Sequence, residues 1–421
     1  MRFRDSAMER YKPDDRIHVV PFTRREDGPE FIIGHPRGEV FISVPREAVE
    51  VLDLLAGGKT LDEARRSYSD KYGESLDLEG FESFIESLAE RGFVKPLAEH
   101  EREAAEGATA EPPSPRHHFT SIPEHWAKAL FGRTMLWSSA VLVAAAALAL
   151  LLEPSILPDW TAFFFKRNIT LMMLLLMTLG LLTTFLHEMA HLVAARAEGI
   201  LCRLSVSHRL WVLVAETDMT GIWALPKSRR FLPILAGPWL DVVSAAVVVL
   251  VLFAGKKEWL SFGEQGWKVL GALLLGYLMR LLWQCFFFVR TDFYYVYATL
   301  FSCKDLMTDT QHYLRNQLRR VLRKSAVYDQ QNIPKREMRA IRAYSLFWLA
   351  GRGAAFWTLF KISLPLIVAY FVQIGGSLAR NWQHDRYAFA DALLITTLQF
   401  GFTLSGFAFW IRSLYLRRHV Q

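Results

Sequence analysis

The sequence predicts an α-helical polytopic membrane protein of about six transmembrane helices, preceded by a small amino-terminal α+β domain. Three observations predict it. The chain is 52% hydrophobic yet 22% charged over 421 residues, a mixture that segregation along the chain explains better than one soluble core. The first 106 residues carry 16 Lys and Arg against 24 Asp and Glu, a net of −8, while the whole chain stands at +7. From Met135 onward, six apolar runs approach the ~20 residues needed to cross a bilayer.

The amino-terminal part reads as strands, then helices. The runs IHVVPFT, EFIIGH and EVFISV alternate as short strands and are broken by Gly28–Pro29 and by Pro36, Arg37 and Gly38. A helix over 45–55 should stop at Gly57–Gly58, where a left-handed cap is cheap. A second should open at Thr60-Leu-Asp-Glu63, a capping-box signature. A third, over 78–91, repeats Phe81, Phe84, Ile85 and Leu88 on one face. The domain is expected to span 1–98, followed by a polar, Pro-containing linker over 99–125 and a membrane domain over 126–421. Its acidity argues against a nucleic-acid partner, because phosphate contacts need a basic face.

The apolar runs lie near 135–152, 168–196, 231–254, 267–289, 344–373 and 388–411. With the amino terminus inside, the inner connections hold 23 Lys and Arg and the outer ones hold seven. The positive-inside tendency therefore places both termini in the cytoplasm and the protein in the cytoplasmic membrane. The basic excess would meet anionic headgroups, which makes membrane lipid an expected partner. The first residues contain no apolar stretch of the signal-peptide kind. Cys202, Cys285 and Cys303 are too few and too scattered for a disulfide framework or a Cys-rich zinc site.

The string Phe185-Leu-His-Glu-Met-Ala-His191 lies inside the second apolar run. On a helix, His187 and His191 stand one turn apart on one face, so both imidazoles can bind one metal. Glu188 beside them can serve as general base toward a metal-activated water. Two histidines and a carboxylate inside an apolar span are expensive unless paired or ligating. Zinc needs a third protein ligand and an open fourth position. Candidates are His208, Glu216, Asp218, Asp241 and Asp292. Depth favours Asp292, just past the cytoplasmic end of the fourth run, with His208 and Asp218 remaining as alternatives. Asp241 and Arg280, at equal depth on adjacent runs, are expected to form a buried ion pair. Residues 200–226 alternate weakly and read as strand.

This constellation resembles the site-2-protease family of polytopic zinc metalloproteases. The resemblance rests on His187-Glu-Met-Ala-His191, on Ala236-Gly-Pro-Trp-Leu-Asp241 in the next run, and on Thr291-Asp-Phe-Tyr-Tyr295, covering roughly 168–300. It implies Zn2+ held by His187, His191 and Asp292, with Glu188 catalytic and a peptide or protein as substrate. Phe293 stands where the family usually has Gly, and Asp241 where it often has Asn. In related enzymes an edge such as 200–226 pairs with the extended substrate; a plain surface hairpin is the alternative. The amino-terminal domain resembles the winged-helix-like PqqD fold over about 80 residues, through Ala48-Val-Glu-Val-Leu-Asp-Leu-Leu-Ala-Gly57, Thr60-Leu-Asp-Glu63, Tyr68, Tyr72-Gly73 and Phe93-Val94. Such domains bind the leader of a ribosomally made precursor as an added strand.

The expectation is a membrane zinc peptidase that removes the leader from a modified precursor peptide. Two alternatives stand beside it: regulated cleavage of a membrane-embedded signalling protein, and a non-proteolytic adaptor for peptide export or immunity.

Overall fold

The computed structural model describes residues 14–105, 118–163, 169–358 and 385–419, except 28–29, 36–39, 74–77, 210–211, 304, 329 and 331–332, together with scattered positions in 360–376. The chain divides into two compact units.

The first unit contains β1 (Ile17–Val19), β2 (Thr23–Asp27), β3 (Glu30–Gly34), β4 (Phe41–Pro45), α1 (Arg46–Ala56), α2 (Leu61–Tyr72), α3 (Leu78–Glu90), β5 (Val94–Pro96) and α4 (Leu97–Ala105). β2, β3 and β4 form an antiparallel sheet in that order, and β1 pairs antiparallel with β5. Ile33, Leu52, Leu55, Ile85, Leu88 and Phe93 fill the core between sheet and helices, each at most 1% exposed. α1 buries Ala48, Val49, Val51, Leu52 and Leu55, an apolar stripe at helical spacing. α2 begins with the expected capping box: Thr60 Oγ1 accepts from Glu63 N, and Glu63 accepts from Thr60 N. Such a cap contributes roughly 1 kcal/mol. The reversal after α1 places Gly58 at a φ of +87°.

α4 extends helix into the stretch read from sequence as linker, while residues 106–117 of that stretch lie outside the described residues. The same unit also takes in Met219–Arg230, far along the chain. There a 3-10 turn at Thr220–Ala224 packs on β3 and β4, and Arg25 Nη1 donates to the carbonyl of Ala224 at 2.6 Å.

The second unit contains α5 (Glu124–Leu130), α6 (Arg133–Leu152), α7 (Ile169–Ala197), β6 (Arg203–Arg209), β7 (Val212–Asp218), most of α8 (Lys227–Lys256), α9 (Glu264–Gln284), α10 (Asp292–Phe301), α11 (Leu306–Val321), α12 (Lys335–Thr358) and α13 (Arg386–His419). Four stretches are long and apolar enough to cross a membrane: Glu124–Leu152, Thr170–Ala197, Lys227–Lys256 and Glu264–Gln284. They coincide with the first four expected spans. The fifth expected span begins on α12 and enters 362–367, outside the described residues; the sixth falls on α13, which carries a shorter apolar stretch, Phe389–Leu398. The weak alternation after α7 folds as the antiparallel hairpin β6–β7.

Small residues set the helix spacing. Ala146 and Ala149 of α6 pack with Ala245, Ala246 and Val249 of α8, and Ala190 and Ala194 of α7 pack with Ala236 of α8. In lipid, where apolar burial supplies little drive, such close approach is a main source of helix association.

Candidate metal centre

α7 places His187 and His191 one turn apart, 5% and 2% exposed. The third group comes from the start of α10, where Asp292 is the first helical residue and Thr291 the amino-terminal cap. Gln284, at the end of α9, grips Asp292 twice. Its Nε2 donates to Asp292 Oδ2 at 2.9 Å, and its Oε1 accepts from Asp292 N at 3.1 Å. Thr291 Oγ1 donates to the carbonyl of Gln284 at 3.0 Å, fastening the two elements together. Burial pushes the phenol of Tyr294, in the same turn of α10, up to about 12. It therefore stays neutral as the acceptor for Met307 N at 3.3 Å.

Two imidazole nitrogens and the two oxygens of one carboxylate converge. His187 Nε2 lies 3.1 Å from His191 Nε2 and 3.2 Å from Asp292 Oδ2, and His191 Nε2 lies 3.5 Å from Asp292 Oδ1. Tetrahedral zinc with bonds of ~2.1 Å separates its ligand atoms by about 3.3 Å, a value that these spacings bracket. Among the described residues, this is the group of His, Cys, Asp and Glu side chains arranged to hold a metal.

The far side of each imidazole fixes what the near side offers. His191 Nδ1 lies 2.7 Å from the carbonyl of Pro233, which can only accept, so Nδ1 carries a proton and, in the neutral ring, Nε2 carries the lone pair. His187 Nδ1 lies 2.8 Å from Asp241 Oδ2, an arrangement that assigns the same tautomer. With both rings neutral, two lone pairs and a carboxylate face one another, and a divalent cation between them would compensate their repulsion. The donor set fits zinc.

Asp241 is 1% exposed and bridges two partners. Its Oδ1 lies 3.1 Å from Arg280 Nη1, the ion pair expected from sequence; its Oδ2 meets His187, which sequence reasoning missed. Arg280 Nη2 in turn donates to Thr183 Oγ1 on α7. Gly237 forms a wall of the centre. A Cβ built there would sit 2.3 Å from His191 Nε2 and 2.5 Å from His187 Nε2, so any side chain would displace the ligands. The two prolines of this stretch, Pro233 and Pro238, remove helix-ladder donors that would have met the carbonyls of Arg229 and Ile234.

Glu188 is tied to β7 through one carboxylate oxygen. Its Oε2 accepts from Thr217 N at 2.7 Å and from Thr217 Oγ1 at 2.8 Å, and Thr217 Oγ1 also lies 3.0 Å from the Glu188 carbonyl. β7 thus stands directly beside the central turn of α7. Of the other candidate ligands, Asp218 is engaged by Arg203 at 3.0 Å, Glu216 lies on β7 outside the converging group, and the side chain of His208 lies outside the described residues. Gln284, Thr217 and the Pro233 carbonyl carried no sequence signal. For Asp241, an acid within an apolar run was the only one.

Comparison with family models, with curated proteins and with solved structures returns no match to this chain.

Proposed function

We propose that the chain is a membrane-embedded, zinc-dependent peptidase of the site-2-protease type, with His187, His191 and Asp292 as ligands and Glu188 as general base. The observation that carries this reading is the convergence of His187 Nε2, His191 Nε2 and the Asp292 carboxylate at 3.1–3.5 Å, with a supporting partner on each residue: Asp241, Pro233 and Gln284. A zinc ion held there supplies Lewis-acid activation of water and of a peptide carbonyl. Glu188 takes the proton that water loses as its oxygen bonds to the carbonyl carbon, and returns a proton to the amine nitrogen as the C–N bond breaks. Thr217 holds one carboxylate oxygen of Glu188, and the other serves as proton acceptor.

The substrate class proposed is a modified precursor peptide whose leader joins the amino-terminal sheet as an added strand. The sheet order β2-β3-β4 leaves β2 and β4 as its two edge strands. The orientation proposed keeps both termini in the cytoplasm.

Metal content of the purified, detergent-solubilised chain tests the site. About one zinc per chain is expected, falling to near zero in His187→Ala or His191→Ala; unchanged zinc in both variants removes the assignment. Glu188→Gln should retain zinc and lose hydrolysis of a precursor by roughly 10²–10⁴-fold. Titration of a leader peptide onto the intact chain tests capture. Deleting the amino-terminal part is a poorer test, since Met219–Arg230 belongs to that compact unit. Should no leader bind while zinc and hydrolysis stand, regulated cleavage of a membrane-embedded signalling protein becomes the better reading. Should Glu188→Gln hydrolyse the precursor at the wild-type rate, Glu188 leaves the mechanism; should the wild-type chain hold zinc and bind the leader without cleaving it, the adaptor becomes the better reading.

A further inference from the structure

α11 is anchored at one end and presented at the other. Near its start, Leu306 and Thr310 are fully buried, and Leu306 shares a core with Tyr294, Ile341 and Tyr344. Three turns later, Leu318, Val321 and Leu322 are 60%, 80% and 57% exposed. Their i, i+3, i+4 spacing puts them on one strip of helix surface.

The chain then reverses at Arg323, whose φ of 54° is left-handed, and the returning segment is held back against the helix. Asn316 donates to the Tyr328 carbonyl at 2.8 Å and accepts from Val327 N at 3.1 Å. Arg315 donates to the Tyr328 hydroxyl at 2.7 Å, and Arg319 to the Ser325 carbonyl at 2.8 Å. The His312 ring stacks on Tyr328 with centroids 3.8 Å apart. This built turn presents Val327, itself 59% exposed, at the same end of the helix.

Along the chain from Leu318 to Val327 the charge has one sign. Residues 311–328 contain Arg315, Arg319, Arg320, Arg323 and Lys324 and no Asp or Glu. Aliphatic groups exposed together mark a surface meant to be covered. Arginines interleaved with them select the cover: guanidinium groups remain with phosphates while Leu and Val reach the acyl boundary. An acidic peptide would match the charge and leave the aliphatic strip in water.

We propose that this turn and the end of α11 dock on an anionic phospholipid leaflet, with Leu318, Val321, Leu322 and Val327 inserted and the basic side chains on the headgroups. The surface shares no residue with the metal centre and stands or falls independently of the peptidase reading.

The test uses the full chain in nanodiscs of phosphatidylcholine, with or without 30% phosphatidylglycerol. A nitroxide is attached at Val321→Cys in a Cys285→Ser background, since Cys202 and Cys303 are buried; Leu318→Cys gives an independent second reading. With phosphatidylglycerol, the label should be accessible to oxygen and shielded from a water-soluble nickel chelate. With phosphatidylcholine alone it should be open to the chelate. The side chains of Arg320, Arg323 and Lys324 make none of the bonds described above that hold the returning segment, so changing all three to Gln keeps those bonds. That variant should weaken docking about a hundred-fold, at about five-fold per charge removed. Chelate access in both lipids overturns the proposal. Equal shielding in both lipids and in detergent overturns it in favour of a protein cover. Shielding that requires an added poly-glutamate peptide overturns it in favour of an acidic peptide.

Discussion

In the amino-terminal unit the most deeply buried side chains are apolar: Ile33, Leu52, Leu55, Ile85, Leu88 and Phe93. Around α7 the buried interior also takes in polar groups: His187, His191, Asp241 and Gln284. The first kind of interior is held by area removed from water, is non-directional, and tolerates swaps that conserve volume. The second is held by directed bonds between groups that are costly in lipid unless each is satisfied, so removing one partner strands the next. One unit is therefore expected to be robust in shape and the other exacting in chemistry.

The sharpest break of this contrast lies at the ligands. Asp292→Ala should abolish stoichiometric zinc, while Asp218→Ala, which removes a partner of Arg203, should leave metal content unchanged. Metal analysis of the two purified variants decides, and a reversed order would move the third ligand to β7. Phe93→Ala tests the other side. Opening the apolar core should cost about 3–5 kcal/mol in the amino-terminal unit yet leave zinc near one per chain, read by thermal melting alongside metal content. Loss of zinc in this variant would show that the two interiors are not separable. The smallest effect, and the finest probe, is Asp241→Asn. An amide can still accept from His187 Nδ1 but no longer balances Arg280, and such supporting partners typically change metal affinity by 10–100-fold. Competition with a chelator measures it; an unchanged affinity would make Asp241 a partner of Arg280 alone.

Local features were legible in the sequence and distant ones were not. The capping box at Thr60 and Glu63, the stripe of α1 and the pairing of His187 with His191 are set within one or two turns of chain, where helical periodicity alone places side chains. Asp292 was reached by matching depth across spans. Asp241 was read as half of an ion pair, because opposite charges at equal depth are visible in a sequence whereas the second oxygen of a carboxylate is not. Gln284 and Thr217 are neutral and have no periodic or charge signature. Their roles arise from bonds made once α9 meets α10 and β7 meets α7. The incorporation of Met219–Arg230 into the amino-terminal unit was equally hidden, since Arg25 meets a carbonyl 199 residues away.

The partnership of Asp241 with Arg280 has a consequence for the charge of the whole interior. Under the proposed reading, three carboxylates (Asp241, Asp292 and Glu188) and one guanidinium (Arg280) surround a divalent ion, and together they are neutral. Lipid penalises net charge far more than it penalises dipoles. A proton passing from water to Glu188 rearranges charge within this set without altering its total. The proposed hydrolysis can thus proceed at membrane depth with no compensating ion crossing the hydrocarbon, and without Arg280 the set would carry an uncompensated negative charge throughout.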